Sequence, residues 1–193
     1  MALLQSDLHL YIDAVWISAL IVWGVGALTT KRAARVQSPG SRLMQALFFI
    51  LAFLLLFQDA FRLGPLAWRF VPRSSAASYT GLVLTVVGVA FAIWARFYLG
   101  RNWSGTVTIK QDHKLIRTGP YALVRHPIYT GLELAVLGTA AAMGEIRGLA
   151  AAGVALIGIR LKFGLEEKFM TDRFGAEYVQ YKKNVKTMIP FVW

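Results

Sequence analysis

Arg125-His126-Pro127-Ile128-Tyr129 opens an apolar stretch that reaches Met143, breaks at Gly144-Glu145-Ile146-Arg147-Gly148, and resumes from Leu149 to Phe163. Two apolar runs with so short a break predict an antiparallel helical hairpin in a membrane, each arm short for a full span unless its ends tilt or merge with polar flanks. Polar residues held against the start of a membrane helix cost free energy, so the Arg-His-Pro step needs an explanation beyond topology. After the hairpin come Glu166-Glu167 and then Phe174-Gly175-Ala176-Glu177-Tyr178. Two polar clusters flanking one apolar hairpin predict a single site at a membrane surface.

Outward from the hairpin, the rest of the chain reads as more membrane helix. A hydrocarbon core of about 30 Å takes about 20 helical residues. Leu8–Leu28 and Tyr79–Phe97 fit that length, and Leu43–Phe57 is shorter but can continue to Phe61 through Gln58 and Asp59. The predicted fold is therefore all-α, an integral membrane bundle of five transmembrane helices in one domain, 1–193. Residues 1–100 hold three helices, and 101–193 hold a loop, the hairpin and an amphipathic C-terminal segment. Composition agrees: 56% of residues are hydrophobic, mean hydropathy is +0.52, and only 16% are charged, against roughly a quarter in soluble domains. Asp13 interrupts the first apolar run and the N-terminus is not basic, which argues against a cleaved signal peptide.

The net charge of +11 does not point to nucleic acid. Lys31, Arg32, Arg35 and Arg42 follow the first helix, Arg101 to Arg125 surround the third loop, and Lys168 to Lys186 follow the fifth helix. All three groups lie on one side if the N-terminus is outside and the C-terminus cytoplasmic. Arg62, Arg69 and Arg73 break the pattern. The loop before the hairpin and the tail after it then share a compartment, and the basic residues suit anionic headgroups. With no cysteine, thiolate chemistry and Cys-ligated metals are excluded, and His9, His113 and His126 lack close metal-ligand spacing.

Pro127 suits the first turn of a helix, where its missing N–H costs nothing. His126 then stands at the helix entrance, with Tyr129 and, one turn on, Glu133 following on that face. Interfacial anchoring is the plainer account of this pentapeptide. Glu133, inside the apolar zone, should face the bundle interior near Arg160 or Lys162. Gly131, Ala135 and Thr139 recur every four positions and allow close helix approach in lipid. Paired Glu166 and Glu167 are suited to a ligand ammonium or ribose hydroxyls, with a solvated helix end as the alternative. In the tail, Tyr178 and Tyr181 share a face beside Lys182 and Lys183, and Ile189-Pro190-Phe191-Val192-Trp193 reads as an apolar anchor.

From about Asn102 to Trp193 the chain resembles the isoprenylcysteine carboxyl methyltransferase family. The resemblance rests on Asn102-Trp103, Asp112-His113-Lys114-Leu115-Ile116, Gly119-Pro120-Tyr121, Arg125 to Gly131, Glu166-Glu167, Phe174 to Tyr178, Tyr181-Lys182-Lys183 and Ile189-Pro190-Phe191, in that order. It implies an S-adenosylmethionine-dependent methyltransferase with a cytoplasmic cofactor pocket. By that likeness His113, Lys114, Leu115 and Ile116 line the cofactor, Tyr121 closes over it, and His126, Pro127, Ile128 and Tyr129 form a second wall. Glu166 holds a polar part of the cofactor, Thr108 falls where relatives offer it a polar side chain, and Lys162 falls where the family places a basic residue near the substrate carboxylate. Asn184 departs from the pattern, because relatives often carry arginine there.

The expected reaction is direct methyl transfer to a carboxylate on an isoprenylcysteine-like or other lipophilic acceptor in contact with membrane lipids, with no nucleic-acid or metal partner. A short cysteine-free chain of this kind suggests a bacterial inner membrane. One alternative is a phospholipid N-methyltransferase, in which Glu167 or Glu133 would be the base. Further alternatives are a nicotinamide-dependent membrane reductase and a scaffold without cofactor.

Overall fold

The computed structural model describes residues 2–28, 33–103, 106–110 and 115–193. Seven α-helices account for most of them: α1 (Ala2–Leu28), α2 (Pro39–Phe57), α3 (Ser75–Leu99), α4 (Pro120–Leu123), α5 (Pro127–Met143), α6 (Ile146–Phe174) and α7 (Ala176–Asn184). The all-helical expectation needs one addition. Strands β1 (Ala33–Val36) and β2 (Thr108–Lys110) pair antiparallel, Val36 opposite Thr108, and join the loop after α1 to the loop after α3.

Among the described residues, four stretches are long and apolar enough to cross a membrane: Leu8–Leu28, Pro39–Phe57, Ser75–Asn102 and Ile146–Phe174. The fifth expected span, α5, has 17 residues, which at 1.5 Å per residue extends about 25 Å and falls short of a ~30 Å core. Pro127 occupies its first turn, as the sequence predicts, and α2 ends at Phe57 rather than reaching Phe61. The largest difference is in α6. It does not stop near Phe163 but runs 29 residues, because Lys, Glu, Phe, Met and Arg are all compatible with helix. It ends at Gly175, whose φ of 53° suits a residue without Cβ and turns the chain into α7. Glu166 and Glu167 therefore sit on a rigid helix and not on a loop.

The stripe Gly131, Ala135 and Thr139 is where α5 meets α3. A Cβ on Gly88 would stand 2.5 Å from Ala135 N and from Gly131 O, and one on Gly138 would stand 2.5 Å from Thr85 N. These backbones touch, as small residues permit in lipid. Gly88→Leu is expected to cost about 3 kcal/mol, at the upper end for overpacking, because backbone and not a flexible side chain stands in the way. Unfolding in mixed detergent measures this, and a variant with unchanged stability would contradict the packing.

At the far end of the hairpin, Glu145 is buried and explains two of the three exceptional arginines. Arg147 Nε donates to its Oε2 at 2.8 Å, Arg62 Nη2 lies 2.8 Å from its Oε1, and Arg69 Nη1 lies at 3.9 Å. Arg147 Nη1 also donates to Gln58 O at 3.0 Å. Arg62 and Arg69 thus neutralise a buried carboxylate at the hairpin turn.

Candidate functional site

The polar start of α5 and the polar end of α6 come together. His126 is 8% exposed and lies between both glutamates, Nδ1 3.5 Å from Glu166 Oε2 and Nε2 3.3 Å from Glu167 Oε1. Its ring stacks on Tyr129 and on Phe163, with centroids 5.7 and 5.2 Å away. Tyr129 Oη donates to Glu166 Oε1 at 2.5 Å. The α-helical stagger makes this possible, since His126 and Tyr129 lie on one face of α5. Burial works against the imidazolium, but Glu166 and Glu167 outweigh it and hold the His126 pKa above its ordinary value.

A raised folded-state pKa gives stability that is fully present below the unfolded value of about 6.5 and is lost as pH rises through the folded one. Thermal stability in detergent is therefore expected to fall as pH is raised above that range, and His126→Asn should flatten the fall. The neighbouring phenols Tyr121, Tyr178 and Tyr181, raised by burial, add their own fall only above the ordinary tyrosine value of about 10. An equal slope in the variant would remove His126 as the cause.

Arg125 also lines the cavity described below and is the knot of the C-terminal segment. Nε and Nη2 donate to Glu167 Oε1 at 2.9 and 2.6 Å, Nη1 donates to Val185 O at 2.5 Å, and Nη2 donates to Thr187 Oγ1 at 2.8 Å. Lys182 Nζ lies 3.5 Å from the other Glu167 oxygen. The backbone joins in: Arg125 N donates to Lys186 O at 2.8 Å and His126 N to Thr187 O at 3.0 Å. The stretches before and after the hairpin are thus bound together through both main chain and side chains.

Above this junction is a cavity of about 430 Å³. Thr108, Leu115, Ile116, Tyr121, His126, Ile128, Tyr129, Lys162 and Glu166 all line it. Pro127 is buried in the first turn of α5 but is not among the lining residues. Glu167 does not line it either, and both its oxygens are engaged as described. His113 and Lys114 lie outside the described residues. Glu133 is not brought to the cavity. Its Oε2 is buried without a hydrogen-bond partner among the described residues, while Arg160 stands over Phe163. The Lys162 ammonium faces the rings of Phe49 and Tyr129 at 5.9 and 5.7 Å.

The cavity also has a wall that sequence reasoning missed. Tyr178 and Tyr181 turn inward from α7 rather than toward headgroups, and Tyr181 Oη donates to Tyr121 O at 2.5 Å. Their spacing marked one shared face, and the polar flank of α6 against which that face packs was the missing part. Trp103 lines the cavity under a buried Arg96, whose guanidinium carbon stands 4.1 Å from the indole ring. Arg96 also donates to Gly100 O and Gly26 O at 3.0 and 2.9 Å. Among the described residues, Asn102 Oδ1 and Thr108 Oγ1 are buried without hydrogen-bond partners, and both residues line this cavity. Unpartnered buried acceptors cost about 1–3 kcal/mol each, and a donor-bearing ligand relieves that.

Comparison with known proteins bears on family and fold. The family model described as phospholipid methyltransferase matches residues 76–177. The chain is 32% identical over 135 residues to the protein-S-isoprenylcysteine O-methyltransferase of Homo sapiens, covering 68% of this chain and 48% of that protein. It is 33% identical over 119 residues to the Saccharomyces cerevisiae protein of the same name, covering 58% and 48%. A probable protein-S-isoprenylcysteine O-methyltransferase of Oryza sativa subsp. indica is 32% identical over 120 residues, covering 60% and 62%. The chain thus spans about half to three-fifths of the length of these relatives. The solved structure of a eukaryotic intramembrane Ras methyltransferase, isoprenylcysteine carboxyl methyltransferase, superposes with a TM-score of 0.59 at 22% identity, over 81% of this chain and 55% of that one. That likeness concerns the fold. With more than half its length matched, the chain belongs to the phospholipid methyltransferase family, and the likeness to isoprenylcysteine methyltransferases read from its motifs stands.

Proposed function

We propose that this chain is an integral membrane, S-adenosylmethionine-dependent O-methyltransferase acting on a carboxylate of an isoprenylcysteine-like or other lipophilic acceptor. One observation carries the reading: a single cavity is lined both by polar atoms without partners among the described residues and by an apolar set from α1 and α2. Asn102 Oδ1 and Thr108 Oγ1 suit the amino groups of the cofactor, and Glu166 suits its ammonium or ribose hydroxyls. Trp103 and Tyr121 offer ring faces of the kind that attract cationic sulfonium. When bound, the cofactor supplies a methyl group on that sulfonium. The family model and the isoprenylcysteine relatives support the same reaction class.

The chain's own residues align and dry the site. A carboxylate is already ionised near neutral pH and needs no strong base. Lys162 orients it, and the surrounding aromatic shell keeps water from its oxygens. An amine acceptor would need a base. Glu167 is not in the cavity lining and is fastened to Arg125 and Lys182, which favours the carboxylate reading and gives Glu167 a positioning role. We place α5 as the fifth membrane span and the cavity at the cytoplasmic leaflet of an inner membrane, with the N-terminus outside, on the asymmetry of the basic loops. Purified protein incubated with methyl-labelled cofactor is expected to label a prenylcysteine analogue and not extracted phospholipids. Labelled phosphatidylethanolamine with an untouched prenylcysteine analogue would overturn the proposal.

A further inference from the structure

The apolar arm of the cavity has a built end. On α1, Trp16, Ala19, Leu20 and Trp23 all line it, the spacing of one helix face, and α2 adds Phe49 and Phe53. Since α1 packs on α3 while α2 packs on α6, the arm lies between two helices held by different partners. Trp16 is the lining residue of α1 furthest from the Trp23–Trp103 contact, two turns before Trp23. Its indole N–H reaches across the bundle to Thr139 Oγ1 on α5 at 3.0 Å, and Thr139 in turn donates to Ala135 O at 2.9 Å. Phe53 and Phe57 meet the indole edge-on, with centroids 5.1 and 6.4 Å away. An indole held by a hydrogen bond on one side and rings on the other cannot swing aside cheaply, so it acts as a crossbar.

We infer that Trp16 is the length stop for the hydrocarbon tail of the acceptor, a specificity determinant that rests on the lipophilic-acceptor reading above. Lys162 fixes the head at the mouth of the arm, beside Tyr129. From Tyr129 to Thr139 along α5 is about 15 Å at 1.5 Å per residue, room for a tail of roughly a dozen extended carbons.

The test uses the full chain in nanodiscs and N-acetyl-S-alkylcysteines with straight tails of increasing length, read by equilibrium binding and separately by methyl transfer. Affinity is expected to rise about fourfold per added methylene while each is buried, and to level off at roughly a dozen carbons, the length of the arm. In Trp16→Ala the break should move to tails longer by about three carbons, the depth of one indole. Should that variant fail to fold, Trp16→Phe, which keeps a ring but loses the bond to Thr139, should move it by about one. A break that stays in place in a folded Trp16 variant overturns the length stop, and so does wild-type affinity with no break at all. The two readouts separate the claims. A break that shifts without methyl transfer to any probe supports the stop and removes the acceptor reading, whereas methyl transfer with an unmoved break does the reverse.

Discussion

Glu166→Gln is expected to weaken S-adenosylhomocysteine binding at least 100-fold, about 2.7 kcal/mol, in calorimetry of the purified protein. The carboxylate does three things from a rigid position on α6. It accepts the Tyr129 hydroxyl at 2.5 Å, it faces His126 Nδ1 at 3.5 Å, and it lines the cavity where the ligand's polar groups are proposed to lie. An amide keeps the shape but removes the charge, leaving the buried His126 ring with Glu167 as its one carboxylate partner, and hydrogen bonds to charged groups are worth about twice neutral ones. Tyr129→Phe keeps the ring stacked on His126 and loses one hydroxyl, so a smaller loss, about tenfold, is expected from that variant. Wild-type affinity in both variants would exclude this end of the cavity as the cofactor site.

Arg125→Ala is expected to destabilise the protein by about 3–5 kcal/mol, the usual consequence of removing one partner from a buried pair. The guanidinium is 9% exposed and its partner Glu167 is 15% exposed. Its loss leaves Glu167 with only His126 and Lys182 and takes a donor from the carbonyl of Val185 and the hydroxyl of Thr187. The damage should concentrate in residues 185–193, whose backbone is held against Arg125 and His126. Faster hydrogen exchange at Lys186–Met188 is the specific readout, beside a lower melting temperature. Lysine at this position should rescue little, since one ammonium cannot reproduce a planar fork that meets a carboxylate, a carbonyl and a hydroxyl together. Unchanged exchange in the tail would show that Arg125 is not its tether.

The parts of this molecule that could be read in advance are those where sequence breaks with its surroundings. Pro127 after a histidine fixed where α5 begins. Glu166 and Glu167, carboxylates beside a run of apolar residues, marked the end of α6 that meets the start of α5, and the Gly131 stripe marked a close helix contact. The parts that escaped are of a different kind. From Ala14 to Leu28 every residue of α1 but Ser18 is apolar, so no period distinguishes the face of Trp16 and Trp23 from the faces that meet lipid. Charge alone did not show that Arg62 and Arg69 neutralise Glu145, because their partner lies in the hairpin turn, far away in sequence. Glu167 read as a candidate base until its neighbours were known; Arg125, 42 positions earlier, engages it. Tyr178 and Tyr181 read as interfacial because the residues beside them are lysines, yet the helix turns those lysines outward and the phenols inward.

The central claim is that the chain before the hairpin and the chain after it close over one ligand. Hydrogen exchange with and without S-adenosylhomocysteine tests it most directly. Slowed exchange in both Leu115–Tyr129 and Glu166–Tyr181, appearing together at the same ligand concentration, is the result this structure predicts. Protection confined to one of the two stretches, or found only elsewhere in the bundle, would contradict it.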